Sequence, residues 1–134
     1  MTKTIVACVE DLFFRSKIET TARHLNVPIR FVDAKSLAET VSDAQIAGVI
    51  LDLTADGDPL AAVRAMRAAG DGGPPILGFL SHVDRALARD AESSGVTQVL
   101  PRSEFSENLP DLMMDMVAPG TKREIPEEPE LPDE

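Results

Sequence analysis

One cysteine stands in 134 residues, Cys8, and it falls inside the first apolar run. A lone thiol forms no internal disulfide, so it reads as a small core side chain in a reducing compartment. Basic charge is also scarce. Thirteen Lys and Arg face 23 Asp and Glu, a net −10 at pH 7. With no basic stripe, the chain lacks the electrostatic footprint of nucleic-acid binding and of docking on anionic membranes. No apolar run approaches the roughly 18 residues of a membrane span, and the first strand begins too early to leave room for a signal peptide. Neither His24 nor His82 has a second histidine or a cysteine at ligand spacing, which argues against a zinc-type site. No glycine-rich phosphate loop follows the first apolar run. Glu10-Asp11-Leu12-Phe13-Phe14 stands there instead and would repel a phosphate that lacked a metal. The expectation is a soluble protein of the cytoplasm, with neither nucleic acid nor membrane as partner.

What is present fits one domain. The length allows a real core but not two of them, and 43% hydrophobic residues is ordinary for a globular chain. Residues 1–118 carry the apolar patterning. Residues 119–134 carry six acidic side chains against Lys122 and Arg123, so this Pro/Glu-rich segment holds −4 of the net charge. It cannot bury enough apolar area to order itself and reads as a disordered, solvated tail. A chain ending in a tail would act through a partner.

The chain is organised around Gly48-Val-Ile-Leu-Asp-Leu-Thr54. An unbroken Val/Ile/Leu run marks a central strand covered on both faces, and Asp52 sits where it ends. In open α/β sheets that carboxyl edge is where ligands bind. The plainer reading, that Asp52 merely ends the strand, must be weighed against the rest of the chain.

Thr4 to Val9 is a first strand, ending in Glu10-Asp11. Leu12 to Leu25 repeats Phe14, Ile18, Ala22 and Leu25 on one helical face, and Asn26-Val-Pro28 stops it. Ile29 to Asp33 is a second strand, and Ser36-Leu-Ala-Glu39 has capping-box spacing for a short helix. Asp58-Pro59 reads as an N-cap with proline at the first helical position, opening a helix that buries Leu60, Val63 and Met66 and exposes Arg64 and Arg67. Ile76 to Leu80 is a fourth strand. Val83 to Ser94 is a helix with Gly95 closing it, and Ser81-His-Val-Asp84 fits a capping box at its start. Val96 to Leu100 is a fifth strand. A single final helix then carries Phe105, Leu109, Leu112, Met113 and Met116, the methionines as core filler. Five strands alternating with five helices, joined by right-handed crossovers, give a parallel sheet with helices on both faces.

In such a fold one edge gathers Glu10, Asp11, Asp52, Ser81 and Arg102. Crowded carboxylates repel, so a cation is needed to keep them ionised, and an oxygen-rich site suits magnesium. Asp52 can then act as a carboxylate nucleophile towards a phosphoryl group, with a hydroxyl and a cation opposite to meet its oxygens.

On Val9-Glu-Asp11, Val49-Ile-Leu-Asp-Leu53, Phe79-Leu-Ser81 and Gly95-Val-Thr-Gln-Val-Leu-Pro-Arg102, the chain resembles the response-regulator receiver family over residues 4 to 117. The resemblance implies the flavodoxin-like (βα)5 receiver fold with sheet order 2-1-3-4-5, the first and last helices on one face and the middle three on the other. It implies Asp52 as phosphoacceptor, Glu10, Asp11 and Asp52 as ligands of a weakly bound Mg2+, and Thr54 lending its backbone carbonyl to the metal. Ser81 matches the switch hydroxyl, and Arg102 stands where the family has lysine. Implied partners are a histidine kinase or phosphotransfer protein and a downstream protein target. The protein would be a monomer or a weak homodimer through the fourth helix, fifth strand and fifth helix. No enzyme activity is implied beyond self-catalysed phosphoryl transfer to Asp52 and its hydrolysis.

The departures matter. Arg102 replaces a compact ammonium by a planar fork. Ser103 takes the place of a proline that a cis bond commonly precedes, and Val99 that of an aromatic switch residue. The loop after Asp52 is about one residue short and lacks the usual Met-Pro. Two functions stay open: a stand-alone phospho-accepting receiver of a two-component phosphorelay, or a degenerate pseudo-receiver serving as a phosphorylation-independent interaction module, with Arg102 locked onto Asp52. A small flavodoxin-like ligand binder is a third and weaker reading.

Overall fold

The computed structural model describes residues 3–41, 45–68, 73–80 and 84–118. The acidic tail, Ser81, His82 and Val83 lie outside them. Five strands, β1 (Thr4–Cys8), β2 (Ile29–Phe31), β3 (Ile46–Asp52), β4 (Ile76–Leu80) and β5 (Gln98–Pro101), form one parallel sheet in the order β2-β1-β3-β4-β5. The helices are α1 (Leu12–Leu25), α2 (Ala34–Thr40), α3 (Pro59–Ala68), α4 (Arg85–Ser94), α5 (Arg102–Glu107) and α6 (Leu109–Val117). This is the expected three-layer order.

The central strand is buried at all seven positions, as its unbroken apolar run requires. Alternate residues of each strand serve opposite faces. Ile5, Ala7, Ile50, Leu77 and Phe79 meet Phe14, Ile18 and Ala22 of α1 and Phe105, Leu109 and Met113 of α5 and α6. Val6, Cys8, Val49, Leu51 and Leu80 meet Leu37 of α2, Leu60 and Val63 of α3 and Ala91 of α4. The first and last helices therefore share one face and the middle three the other. Burying each large side chain contributes about 1.5–3 kcal/mol. Gly48 on β3 permits the closest of these approaches, because a Cβ there would stand 2.7 Å from the Met116 sulfur.

Several boundaries differ from the sequence expectation, each for a local reason. The last helix is broken at Asn108 (φ −107°, ψ 14°), two residues before Pro110, whose ring and missing N–H interrupt the helical ladder. The apolar register survives the break, and Phe105, Leu109 and Met113 are all fully buried. Helix α2 starts at Ala34 rather than Ser36, because the Asp33 carboxylate accepts from the Ser36 N–H at 2.9 Å and so caps it. That bond holds the Asp33 carboxyl below its ordinary value. Helix α4 starts at Arg85, capped by Asp84, whose carboxylate accepts from the Leu87 N–H at 3.0 Å. Strand β2 ends at Phe31, and β5 runs from Gln98 to Pro101.

Asn26 ends α1 in the left-handed region (φ 59°), and Gly95 ends α4 at φ 119°. Asp58 caps α3 as expected, accepting from the Ala61 N–H at 3.2 Å. Arg67 is half-buried rather than exposed: its Nε and NH2 donate to the Gly95 carbonyl at 3.1 and 2.9 Å, tying α3 to the end of α4. Burial pushes the Cys8 thiol up to about 11, with the charges of Glu10, Asp33 and Asp52 adding to the effect.

Candidate functional site

Parallel register decides what meets at the carboxyl edge. Asp52 is paired with Phe79 and Leu80 with Pro101, so the ends of β3, β4 and β5 lie side by side, with the exit of β1 next to β3. Asp52, Glu10, Asp11 and Arg102 leave the sheet at this edge. β4 ends at Leu80, immediately before Ser81 in the chain.

Asp52 is 9% exposed and is the buried charged residue among those described. A buried carboxylate needs donors. Its Oδ1 accepts from the Thr54 N–H at 3.0 Å and from the Thr54 hydroxyl at 2.8 Å. The turn is closed by the Ala55 N–H donating to the Asp52 carbonyl at 3.1 Å. Thr54 thus orients the acid through its amide and hydroxyl. Among the described residues Asp52 has no ion pair.

The acid pair is occupied differently. The Asp11 Oδ1 accepts from the Phe13 and Phe14 N–H groups at 2.8 and 3.2 Å, which makes Asp11 the N-cap of α1. An aspartate directly before a periodic apolar run is a cap signal, so this role was readable in the sequence. Glu10 turns towards the loop after β3, its Oε1 accepting from the Asp56 N–H at 3.4 Å. No local pattern announces that contact between residues 46 positions apart.

Arg102 opens α5 directly from β5, with Pro101 as the cap residue. Its NH2 lies 3.8 Å from the Asp11 Oδ2, and its guanidinium carbon stands 4.7 Å from the centroid of the Phe14 ring. Phe14 is buried beside Phe79 and Phe105, at centroid distances of 5.4 and 6.2 Å, and Phe79 stacks on Phe105 at 4.4 Å. The alternative in which Arg102 locks onto Asp52 is not the arrangement observed: among the described residues its carboxylate partner is Asp11. A planar guanidinium can lie on a ring and still reach a carboxylate, which a compact ammonium does less well. The pair is 42% and 43% exposed, so water screens it and it contributes at most about 1 kcal/mol.

Among the described residues no group of three His, Cys, Asp or Glu side chains could hold a metal ion. One Asp11 oxygen caps a helix, the other faces a guanidinium, and Glu10 is turned to a backbone amide. Around the rim, Leu12 is 78% exposed and Phe13 69% exposed, an apolar pair beside the acids that the sequence reading did not single out.

No family model matches the chain, and no curated protein matches it in sequence. Solved structures do. A response regulator receiver protein from Pseudoalteromonas atlantica superposes with a TM-score of 0.72 at 14% identity, covering 85% of this chain and 96% of the other. The signal receiver domain of a response regulator from Bermanella marisrubri gives 0.72 at 22% identity, covering 87% and 99%. The receiver domain of a sensor histidine kinase from Pseudomonas aeruginosa gives 0.73 at 16% identity, covering 87% and 98%; that protein has a magnesium ion coordinated in its active site cleft. At these identities the likeness is one of fold, and the fold is that of receiver domains.

Proposed function

We propose that this chain is a receiver of two-component signalling, accepting a phosphoryl group on Asp52 and signalling through protein–protein contacts. One observation carries the reading: Asp52 ends the central strand, nearly buried, with one oxygen held by Thr54 and no ion pair among the described residues. A carboxylate so oriented is a nucleophile for phosphoryl transfer. One of its oxygens forms the O–P bond as the bond from phosphorus to a phosphohistidine nitrogen breaks. The imidazole keeps the electron pair, and the product is an acyl phosphate. Arg102 lies at the same edge and supplies charge for the added phosphoryl oxygens if it leaves Asp11. Ser81, directly after β4, is the proposed hydroxyl partner.

The donor in this reading is a histidine kinase or phosphotransfer protein, and the readout is a downstream protein. The candidate output surface is formed by α4, β5 and the last two helices. Exposed Arg85, Arg89, Asp90 and Glu92 on α4 stand against exposed Glu107, Asp111 and Asp115 on α5 and α6, a mixed-sign face suited to setting partner register. The pairing of Arg102 with Asp11 favours one alternative: an edge already partly neutralised could serve as a phosphorylation-independent interaction module.

Incubation with acetyl phosphate, with and without magnesium, separates the two. The expected result is a mass gain of one phosphoryl group that maps to Asp52 and disappears in Asp52→Asn. An unlabelled protein under both conditions and with a phosphohistidine donor would leave the interaction module.

A further inference from the structure

The ion pair that the described residues form at the carboxyl edge joins the two residues that a divalent cation and an incoming phosphoryl group would each want to use. Asp11 has two oxygens. Oδ1 is committed to the Phe13 and Phe14 amides, and Oδ2, the one left for an outside cation, faces the Arg102 NH2 at 3.8 Å. We infer that Arg102 is the resident counter-ion of this edge, a built-in cation seated on Phe14 that competes with magnesium for Asp11.

Three features support a defined seat over a chance surface contact. The backbone of Arg102 is fixed on both sides, by the last residue of β5 and the first turn of α5. Its guanidinium lies over Phe14, which is 3% exposed and packed against the stacked rings of Phe79 and Phe105, so the ring cannot drift away. The remaining acid of the pair, Glu10, is turned away to Asp56. Arg102 also carries its charge on a planar guanidinium, which can rest on a ring and face a carboxylate together. It leaves Asp11 only when a competing cation or a better anion draws it off. The inference deepens the reading of the edge proposed above: in the resting protein the cation is intramolecular, and a phosphoryl group that recruits Arg102 would leave the Asp11 carboxylate without it.

The test is a magnesium titration at constant ionic strength, followed by ¹H–¹⁵N NMR at the Phe13 and Phe14 amides, which report on Asp11 directly. In the unmodified chain these amides should respond late. In Arg102→Ala, and in Arg102→Gln, which keeps a polar amide but is shorter and uncharged, the same shifts should saturate at about fivefold to tenfold lower magnesium, the combined worth of an exposed pair and its ring contact. Arg102→Lys should fall between. The gap should narrow at high salt, where the pair is screened. Equal midpoints in all four proteins would overturn the inference, as would an Arg102→Ala protein whose Asp11 amides ignore magnesium. Because the titration needs no phosphodonor, it fails separately from the functional reading. Labelling of Asp52 with identical midpoints sinks the counter-ion alone, and shifted midpoints without labelling sink phosphorylation alone.

Discussion

The two faces of the sheet are built from different materials. Under α1, α5 and α6 lies a cluster of three phenylalanines, Phe14, Phe79 and Phe105, and both charged residues that meet at the edge, Asp11 and Arg102, start helices on that face. Under α2, α3 and α4 the buried cluster is aliphatic, and α4 contributes only Ala91 to it as a fully buried side chain. Large rings hold their neighbours in one arrangement, while a helix seated on one alanine and a half-buried Leu87 has little to lose by moving. Within the functional reading, one face positions the site and the other is free to respond. Arg67 limits that freedom at one end, since it holds the C-terminal turn of α4 to α3, so motion should be greatest at the end near Asp84.

The comparison breaks most readily on stability. Phe105→Ala removes a fully buried ring stacked on Phe79 and should cost about 3–5 kcal/mol in urea unfolding, whereas Leu87→Ala on α4 should cost well under half of that. Equal losses would mean that α4 is as firmly seated as the aromatic face.

Cys8 sharpens the aliphatic side. Its folded thiol is raised from 9.0 to about 11, so between these values the unfolded chain loses the proton and the folded one keeps it. Stability should be unaffected below pH 9 and fall by roughly 2–3 kcal/mol as pH rises towards 11. Denaturation of Cys8→Ala over the same range should lack that component. A wild-type curve parallel to the variant's would show that the thiol is not shielded.

Caps give a smaller contrast. Asp84→Ala should destabilise by about 1 kcal/mol and raise amide exchange mainly in α4. Exchange spreading equally to α5 and α6 would contradict separate behaviour of the faces. With beryllofluoride added, changes in α4 should likewise exceed those in β5, because Val99 offers no aromatic ring to carry the signal.

The smallest effect belongs to the exposed pair of Glu19 and Arg23 on α1, 3.6 Å apart and largely solvated. Glu19→Gln should move stability by no more than about 0.5 kcal/mol. A larger change would show that the surface of the aromatic face contributes as its interior does.

Much of this architecture was legible in the residues alone. The run from Gly48 to Leu51 marked a strand buried on both sides, and its length and neighbours left little choice but a central parallel position. Four-residue spacing in Phe14, Ile18 and Ala22, and again in Phe105, Leu109 and Met113, named the core face of the helices. Asn26, Asp58 and Gly95 marked helix ends because their preferences act within a few residues. Where the reading slipped, a local competitor was present and undervalued: Pro110 inside the last periodic run, Asp33 ahead of Ser36, and Asp84 ahead of Leu87.

The sequence by itself therefore determined the alternation of strands and helices, which side chains are apolar partners, and that Asp52 ends the middle strand, since periodicity and caps are short-range properties. Only the tertiary structure decided that Arg102 pairs with Asp11 rather than Asp52, that it rests on Phe14, that Glu10 turns to Asp56, and that Arg67 reaches Gly95. Each of these joins residues on different elements. A guanidinium with several carboxylates in reach takes the one its fixed backbone and a supporting ring allow, and that geometry exists only once the sheet has brought the strand ends together.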